Sequence, residues 1–297
     1  MSGPLPEYPD ITVYIEALGR HALGHTLKSV TVKTPFLIRT YRPPIQELEG
    51  QTLIALRRVG KRIAFGFSNG HWLVLHLMIA GRLHWNSRRQ SLATFEFDNG
   101  SLSFTESGSR RQAAVHIYSN DSMIATDGLE VMDCAIEDFI ARLTAENHTL
   151  KRSLTDPHIL SGIGNAYSDE ILHHAGLSPV ALSQKLTPAE LVRLLAAIRD
   201  RLHYFTDLLR QQTQSGFPEK VTAFRPEMAA HGKFSQPCPR CATPIQRIVH
   251  ASSETTYCPT CQTGGKLLAD RALSRLLGKD WPKPLEEIEL RKHPGGA

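Results

Sequence analysis

At 297 residues the chain exceeds most single domains, and a hydrophobic content of 41% suffices for ordinary cores, so two compact domains plus a small module are expected. No apolar run reaches membrane-spanning length and the opening residues lack the pattern of a signal peptide, which leads to the expectation of a soluble cytoplasmic protein with no membrane partner. Thirty-four Lys and Arg against 29 Asp and Glu leave a net charge of +5, which fits nucleic acid without demanding it. Five cysteines, four of them in two Cys-x-x-Cys pairs, argue against a disulfide-dense secreted scaffold and for metal binding, with Cys134 expected as a small buried hydrophobe.

Taken in chain order, Ile11, Ile15, Leu18 and Ala22 recur at helical spacing, and Gly24 follows as a stop. From about residue 27 to 127 short β-rich runs replace that period, among them residues 53–56, 62–65 and 72–75, separated by turn signals at Ser68-Asn69-Gly70 and Asp98-Asn99-Gly100. A β-sandwich or barrel carrying an N-terminal helix follows. Beyond Asp127 the period becomes helical again, with Ile136, Phe139, Ile140 and Leu143 on one face. Thr187-Pro188-Ala189-Glu190 is a capping box that opens a further helix through Leu191, Leu195, Ile198 and Leu202. The expected fold is multidomain α+β, divided into an N-terminal β-sandwich domain (1–127), a helical domain (128–228), a metal-binding β-hairpin (229–265) and a C-terminal extension (266–297). Within the extension, residues 266–277 read as a short helix, docked as a support in preference to making an extra DNA contact.

Cys238-Pro-Arg-Cys241 and Cys258-Pro-Thr-Cys261 each place two thiolates on one tight knuckle, and the stretch Ile245 to Val249 between them alternates like a hairpin strand. Four thiolates fill a tetrahedral zinc sphere and leave no position for an activated water, so one structural zinc ion is expected.

Four segments together resemble the formamidopyrimidine-DNA glycosylase and endonuclease VIII family: Pro6-Glu7-Tyr8-Pro9-Asp10, Gly60-Lys61, Ser161-Gly162-Ile163-Gly164-Asn165-Ala166-Tyr167 with Asp169-Glu170, and the cysteine hairpin. The third segment is similar to the family's helix–two-turn–helix element, whose glycines let a phosphate approach the backbone. The resemblance implies a monomeric enzyme of damaged double-stranded DNA that flips an oxidised or ring-opened base, a purine above all, out of the duplex. It further implies that Pro6 attacks the sugar carbon as a secondary amine, forms an imine and, by elimination, nicks the strand. Glu7 then matches the acid/base, Asp10 a second acidic position usually held by glutamate, and Lys61 a hairpin lysine on the phosphate next to the lesion. Asn165 matches a phosphate-binding asparagine, with Lys151 and Tyr167 as further DNA contacts. Taken singly, a Pro-Glu at a helix start is a cap and a lone lysine is solvated; their joint order carries the reading.

The chain also departs from the family's pattern. Pro6 follows Leu5, and a proline within a chain has an amide nitrogen that cannot attack. Three explanations stand: translation beginning at the position written Leu5, removal of residues 1–5, or loss of the amine, which would leave a lyase-deficient or non-catalytic lesion-binding protein or an enzyme that uses water or a lysine instead. The finger lacks the family's tip arginine; Ser253 occupies about its place, and Arg247 on the opposite strand reads equally as a substitute or as a solvated strand residue. Ile79 stands near the usual intercalating methionine, and Arg110 and Arg111 lie where an intercalating arginine is expected, followed by Gln112-Ala113-Ala114 rather than an aromatic residue. A loop within residues 214–228 is expected to cap the flipped base.

Overall fold

The computed structural model describes residues 5–107, 112–125, 128–218, 221, 224–250 and 253–268. The chain divides into two compact units, the first comprising residues 1–130, 161–163 and 202–223, the second residues 131–160, 164–201 and 224–297.

In the first unit, helix α1 (Tyr8–His21) precedes eight strands: β1 (Leu27–Val32), β2 (Leu53–Val59), β3 (Arg62–Phe67), β4 (Trp72–His76), β5 (Gly81–Trp85), β6 (Ala93–Phe97), β7 (Gly100–Glu106) and β8 (Ala114–Tyr118). They pair antiparallel as two four-stranded sheets, ordered β1-β6-β7-β5 and β2-β3-β4-β8. Alternate side chains of both sheets meet in one core, with Leu27, Phe95 and Phe104 from the first and Leu53, Phe65, Leu75 and Ile117 from the second. Ile11, Tyr14 and Leu18 of α1 belong to the same cluster, so the helical period read from the sequence is the face that buries. The sandwich with its N-terminal helix is thus present, and all three β-rich runs are strands. Hairpin turns are fixed by their own side chains: at Ser68-Asn69-Gly70 the Asn69 amide donates to the Glu47 carbonyl at 2.9 Å while its oxygen accepts the His71 N–H at 3.1 Å.

The second unit contains α2 (Ile136–Thr144), α3 (Leu150–Thr155), α4 (Asn165–Ala175), the first part of α5 (Pro188–Thr213), the hairpin β9 (Gln246–His250) and β10 (Ser253–Tyr257), and α6 (Pro259–Thr263). Phe139 and Leu143 bury the apolar face of α2, and Thr187 and Glu190 bond reciprocally at the start of α5, with the Thr187 N–H 2.8 Å from the Glu190 carboxylate. Cys134 departs from expectation: it is only half-buried, because it lies on the connection before α2, where its carbonyl accepts from Arg199 Nη2 at 2.6 Å. No helix of the described residues is long and apolar enough to cross a membrane.

Candidate active site and metal centre

Pro6 and Glu7 are buried at the start of α1. Glu7 is the N-cap residue, and its carboxylate accepts the Asp10 N–H while the Asp10 carboxylate accepts the Glu7 N–H at 3.0 Å. This reciprocal box holds both acids against the helix's own amino end, where two orphan donors need acceptors. The next donor, Tyr8 N–H, is satisfied from far along the chain by the Gly162 carbonyl at 2.9 Å. Gly162 has φ +83, and a Cβ there would stand 3.3 Å from the Tyr8 side chain and 3.1 Å from the Arg58 guanidinium. Its glycine identity therefore serves close packing under the start of α1, beside the phosphate approach read from sequence.

Lys61 lies in the two-residue turn between β2 and β3, where Val59 pairs with Arg62. Gly60 takes φ +64 and Lys61 is not among the residues of positive φ, the pattern of a type II′ turn. His76, paired with Arg62 in the adjacent ladder, was not singled out from sequence. Burial, and then the charges of Arg62 and Lys61, bring its imidazole down to about 4. The folded state thus holds His76 neutral, whereas the unfolded chain binds a proton below about 6.5. The stability tied to this difference is present above pH 6.5 and is lost as pH falls toward 4, by about 2–3 kcal/mol. His76→Gln is expected to flatten the acid limb of a stability-against-pH curve in that window.

Asn165 is the first residue of α4, and its amide donates to the Glu254 carbonyl on β10 at 2.9 Å. Lys151, expected as a DNA contact, is instead committed internally: its ammonium lies 2.8 Å from the Asn165 carbonyl and 2.6 Å from the carboxylate of the fully buried Asp169. Asp169 also accepts from Thr256 Oγ1 at 3.0 Å and pairs with His231 Nδ1 at 2.8 Å. The neighbouring Glu170 accepts the backbone N–H groups of Ala229, Ala230 and His231, each at 2.8 Å. Burial pushes the Glu170 carboxyl up from its ordinary value against the pull of those three donors. Tyr167 corrects a second expectation, since it is fully buried and presents no surface to a ligand.

The Sγ atoms of Cys238, Cys241, Cys258 and Cys261 all lie within 4.8 Å of one another, at 3.4 Å for 241–258, 3.5 Å for 241–261 and 3.9 Å for 238–261. Zinc–sulfur bonds of about 2.3 Å in a tetrahedron need S···S separations of about 3.8 Å, so the set fits one zinc ion. The site is closed, and the ion is structural. His173 Nε2 lies 3.2 Å from Cys238 Sγ. A neutral imidazole with its proton on Nε2 donates to the thiolate, the outer-shell support such ligands receive.

Family models match in the order of the elements: the formamidopyrimidine-DNA glycosylase N-terminal domain at residues 5–115, its H2TH domain at 124–212, and the zinc finger found in FPG and IleRS at 235–264. The formamidopyrimidine-DNA glycosylase of Thiobacillus denitrificans is 30% identical over 273 residues, 87% of this chain and 100% of its own. The chain belongs to the formamidopyrimidine-DNA glycosylase family. It is accordingly a DNA glycosylase of base-excision repair. A Mycobacterium tuberculosis protein described as formamidopyrimidine-DNA glycosylase-like is 39% identical over 150 residues, 50% of this chain and 93% of its own. The crystal structure of MutM (Fpg) from Thermus thermophilus superposes with a TM-score of 0.75 at 28% identity, covering 86% of this chain and 98% of that one.

Within this family frame, Ile79 lies in the tight connection from β4 to β5, where Met78 has φ +53 and the Gly81 N–H bonds the Leu77 carbonyl at 2.9 Å. A Cβ on Gly81 would stand 2.1 Å from that carbonyl, so only glycine closes the turn that presents residues 78 and 79. Arg110 and Arg111 lie outside the described residues, as does the extension beyond Leu268. Ser253 opens β10, and Arg247 stands on β9 across from Thr256. Its guanidinium is 4.2 Å from the Phe234 ring centroid and 3.0 Å from the Glu254 carboxylate.

Proposed function

We propose that the protein is a bifunctional DNA glycosylase and abasic-site lyase acting on oxidised or ring-opened purines in double-stranded DNA, with Pro6 as nucleophile once it is the terminal residue. The observation that carries this reading is the built environment of Pro6: a buried proline at a helix start, followed by an acid whose carboxylate and N–H are both fixed by Asp10. A terminal proline is a secondary amine. Its nitrogen attacks C1′ and gives up its proton as the bond from C1′ to the base breaks and the base leaves with a proton; the C1′–O4′ bond then breaks, O4′ takes a proton and the nitrogen lone pair forms the iminium that links Pro6 to the opened sugar. Loss of a C2′ proton then expels the 3′ phosphate, and a second elimination expels the 5′ phosphate. Glu7 is the acid/base for the sugar oxygen, and Lys61 and Asn165 hold phosphates in the first and second units respectively.

The flipped base is assigned to a cavity of about 470 Å³ in the first unit, lined by Asp10, Val13, Leu209, Thr213, Phe217 and Val221. Its size falls within the range of about 300–1,000 Å³ usual for small-ligand pockets. The Phe217 ring, within the expected capping loop, sits 5.8 Å from the Tyr14 ring and 6.1 Å from that of His21, so it anchors the loop's start to α1. Duplexes carrying one lesion each, scored separately for base release and strand cleavage, test the assignment. Release of oxidised or ring-opened purines with coupled nicking is expected; release confined to pyrimidine lesions overturns the purine choice.

Solved relatives in complex with an abasic-site DNA and with a carbocyclic 8-oxo-G DNA share this fold, at TM-scores of 0.77. They support damaged duplex DNA as the partner. On the finger, Arg247 takes the role of the absent tip arginine: it lies on the strand opposite Glu254, whose carbonyl binds Asn165, and a phosphate there would replace the Glu254 carboxylate. Arg247→Ala is expected to weaken duplex binding at low salt and to lower the salt slope by about one, measured by fluorescence anisotropy. An unchanged slope would show that the finger contributes no charge to binding. A second reading, a lyase-deficient lesion binder, rests on the Leu5–Pro6 peptide bond alone.

A further inference from the structure

We propose that Arg58 is a positioning residue of the active site, a single half-buried guanidinium that locks the start of α1, the Lys61 turn and the Ser161-Gly162 segment to one another. The inference rests on the imine reading above, because those segments carry Pro6, Glu7 and Lys61.

Neighbouring arginines on β2 point to opposite faces, as strand geometry requires. Arg57 is turned outward, over the Trp72 ring at 4.2 Å and 3.6 Å from the exposed Asp121. Arg58 is turned inward, its side chain only 16% exposed. Its Cζ lies 4.3 Å from the centroid of the Tyr8 ring, one residue after Glu7. Its Nη1 donates to the Gly60 carbonyl at 3.1 Å, which ties it to the turn that presents Lys61. Both terminal nitrogens reach the Glu130 carboxylate, which also accepts from Ser161 Oγ. The loop closes through Gly162, whose carbonyl caps Tyr8 and whose missing side chain admits Arg58.

Only arginine satisfies this set, since the interactions need a planar fork, at least three donors and a face that stacks on an aromatic ring. A lysine could reach Gly60 or Glu130 but could not also stack and fork. The consequence for chemistry is positional. A nucleophile or acid displaced by about 1 Å loses about a hundredfold in rate without losing its substrate. Glu130 serves as the counter-charge and as the link to Ser161, so a pair whose members are 72 positions apart joins the Ser161-Gly162 segment to the amino end.

The test uses protein whose first residue is Pro6. Single-turnover borohydride trapping on an abasic duplex, affinity for a tetrahydrofuran duplex, thermal midpoint and hydrogen exchange of residues 7–12 are measured for Arg58→Met, Arg58→Lys and the double variant Arg58→Met with Glu130→Leu. Both single variants are expected to trap about 30- to 100-fold more slowly, with affinity within about threefold of the parent. The double variant removes the unpaired carboxylate, and is expected to regain the thermal midpoint but not the rate. A return of the rate together with stability, or parental trapping in Arg58→Met, overturns the proposal in favour of a plain structural ion pair. Absence of any adduct with the parent protein defeats the imine reading instead. In that case exchange at Tyr8 decides: acceleration in Arg58→Met, with exchange in β4 unchanged, sustains the positioning role, and parental exchange refutes it.

Discussion

Protein beginning at Pro6 is expected to become covalently trapped on abasic DNA by borohydride, and protein retaining residues 1–5 to trap at least about a thousandfold more slowly. The difference is one of bonding at a single atom. In the Leu5–Pro6 peptide the proline nitrogen is part of an amide, and its lone pair is delocalised into the carbonyl. Freed, the same nitrogen is a secondary amine that can attack and form an iminium with no further proton on nitrogen to lose. The contacts of Glu7 with Asp10 and of Tyr8 with Gly162 are made between residues that the shorter protein retains. Both proteins are therefore expected to bind a tetrahydrofuran duplex with similar affinity. Mass analysis of peptides from the adduct should place the sugar fragment on Pro6. An adduct of equal yield with residues 1–5 in place, mapped to a lysine, would remove Pro6 from the mechanism and transfer the nucleophile's role to that lysine.

Local spacing made some of this site legible and concealed the rest. The zinc ligands were readable because Cys-x-x-Cys encodes its own geometry: each knuckle closes within four residues, as the bond from the Ala242 N–H to the Cys238 carbonyl at 2.8 Å shows. The pairing of Glu7 with Asp10 has the same character, an i to i+3 relation that any helix start imposes. Long-range partners left no such trace. Arg58 and Glu130 are 72 positions apart, and nothing in the residues around either one marks it as buried or paired. Gly162 was assigned to phosphate because its neighbours are glycines and an asparagine, whereas what it makes room for is Tyr8 and Arg58 from elsewhere in the chain. The internal partner of Lys151 and the burial of Tyr167 left no trace for a related reason. A lysine or tyrosine beside a DNA-binding motif reads as a contact, and only the fold reveals that Asp169 holds one and that the other is buried.

Asp169→Ala is expected to destabilise the second unit by about 3–5 kcal/mol, the range for removing one partner of a buried ion pair. The carboxylate is completely enclosed and satisfies three donors from three parts of the chain: Lys151 on α3, Thr256 on β10 and His231 on the segment before the finger. Truncation leaves the Lys151 ammonium, whose side chain is 14% exposed, with the Asn165 carbonyl as its remaining acceptor there. Asp169→Asn keeps the volume and one acceptor oxygen, and its cost should be smaller, about 1–3 kcal/mol for lost charge-assisted bonds. The loss should also reach the metal. Thr256 sits two residues before Cys258, so releasing its hydroxyl loosens the strand that delivers the third and fourth zinc ligands. Zinc release to a chromogenic chelator is thus expected to accelerate in Asp169→Ala alongside the shift in the denaturant midpoint, and less so in Asp169→Asn. A midpoint within 1 kcal/mol of the parent, with zinc release unchanged, would mean that Glu170, through its three backbone donors, suffices to fasten α4 to the segment leading into the finger.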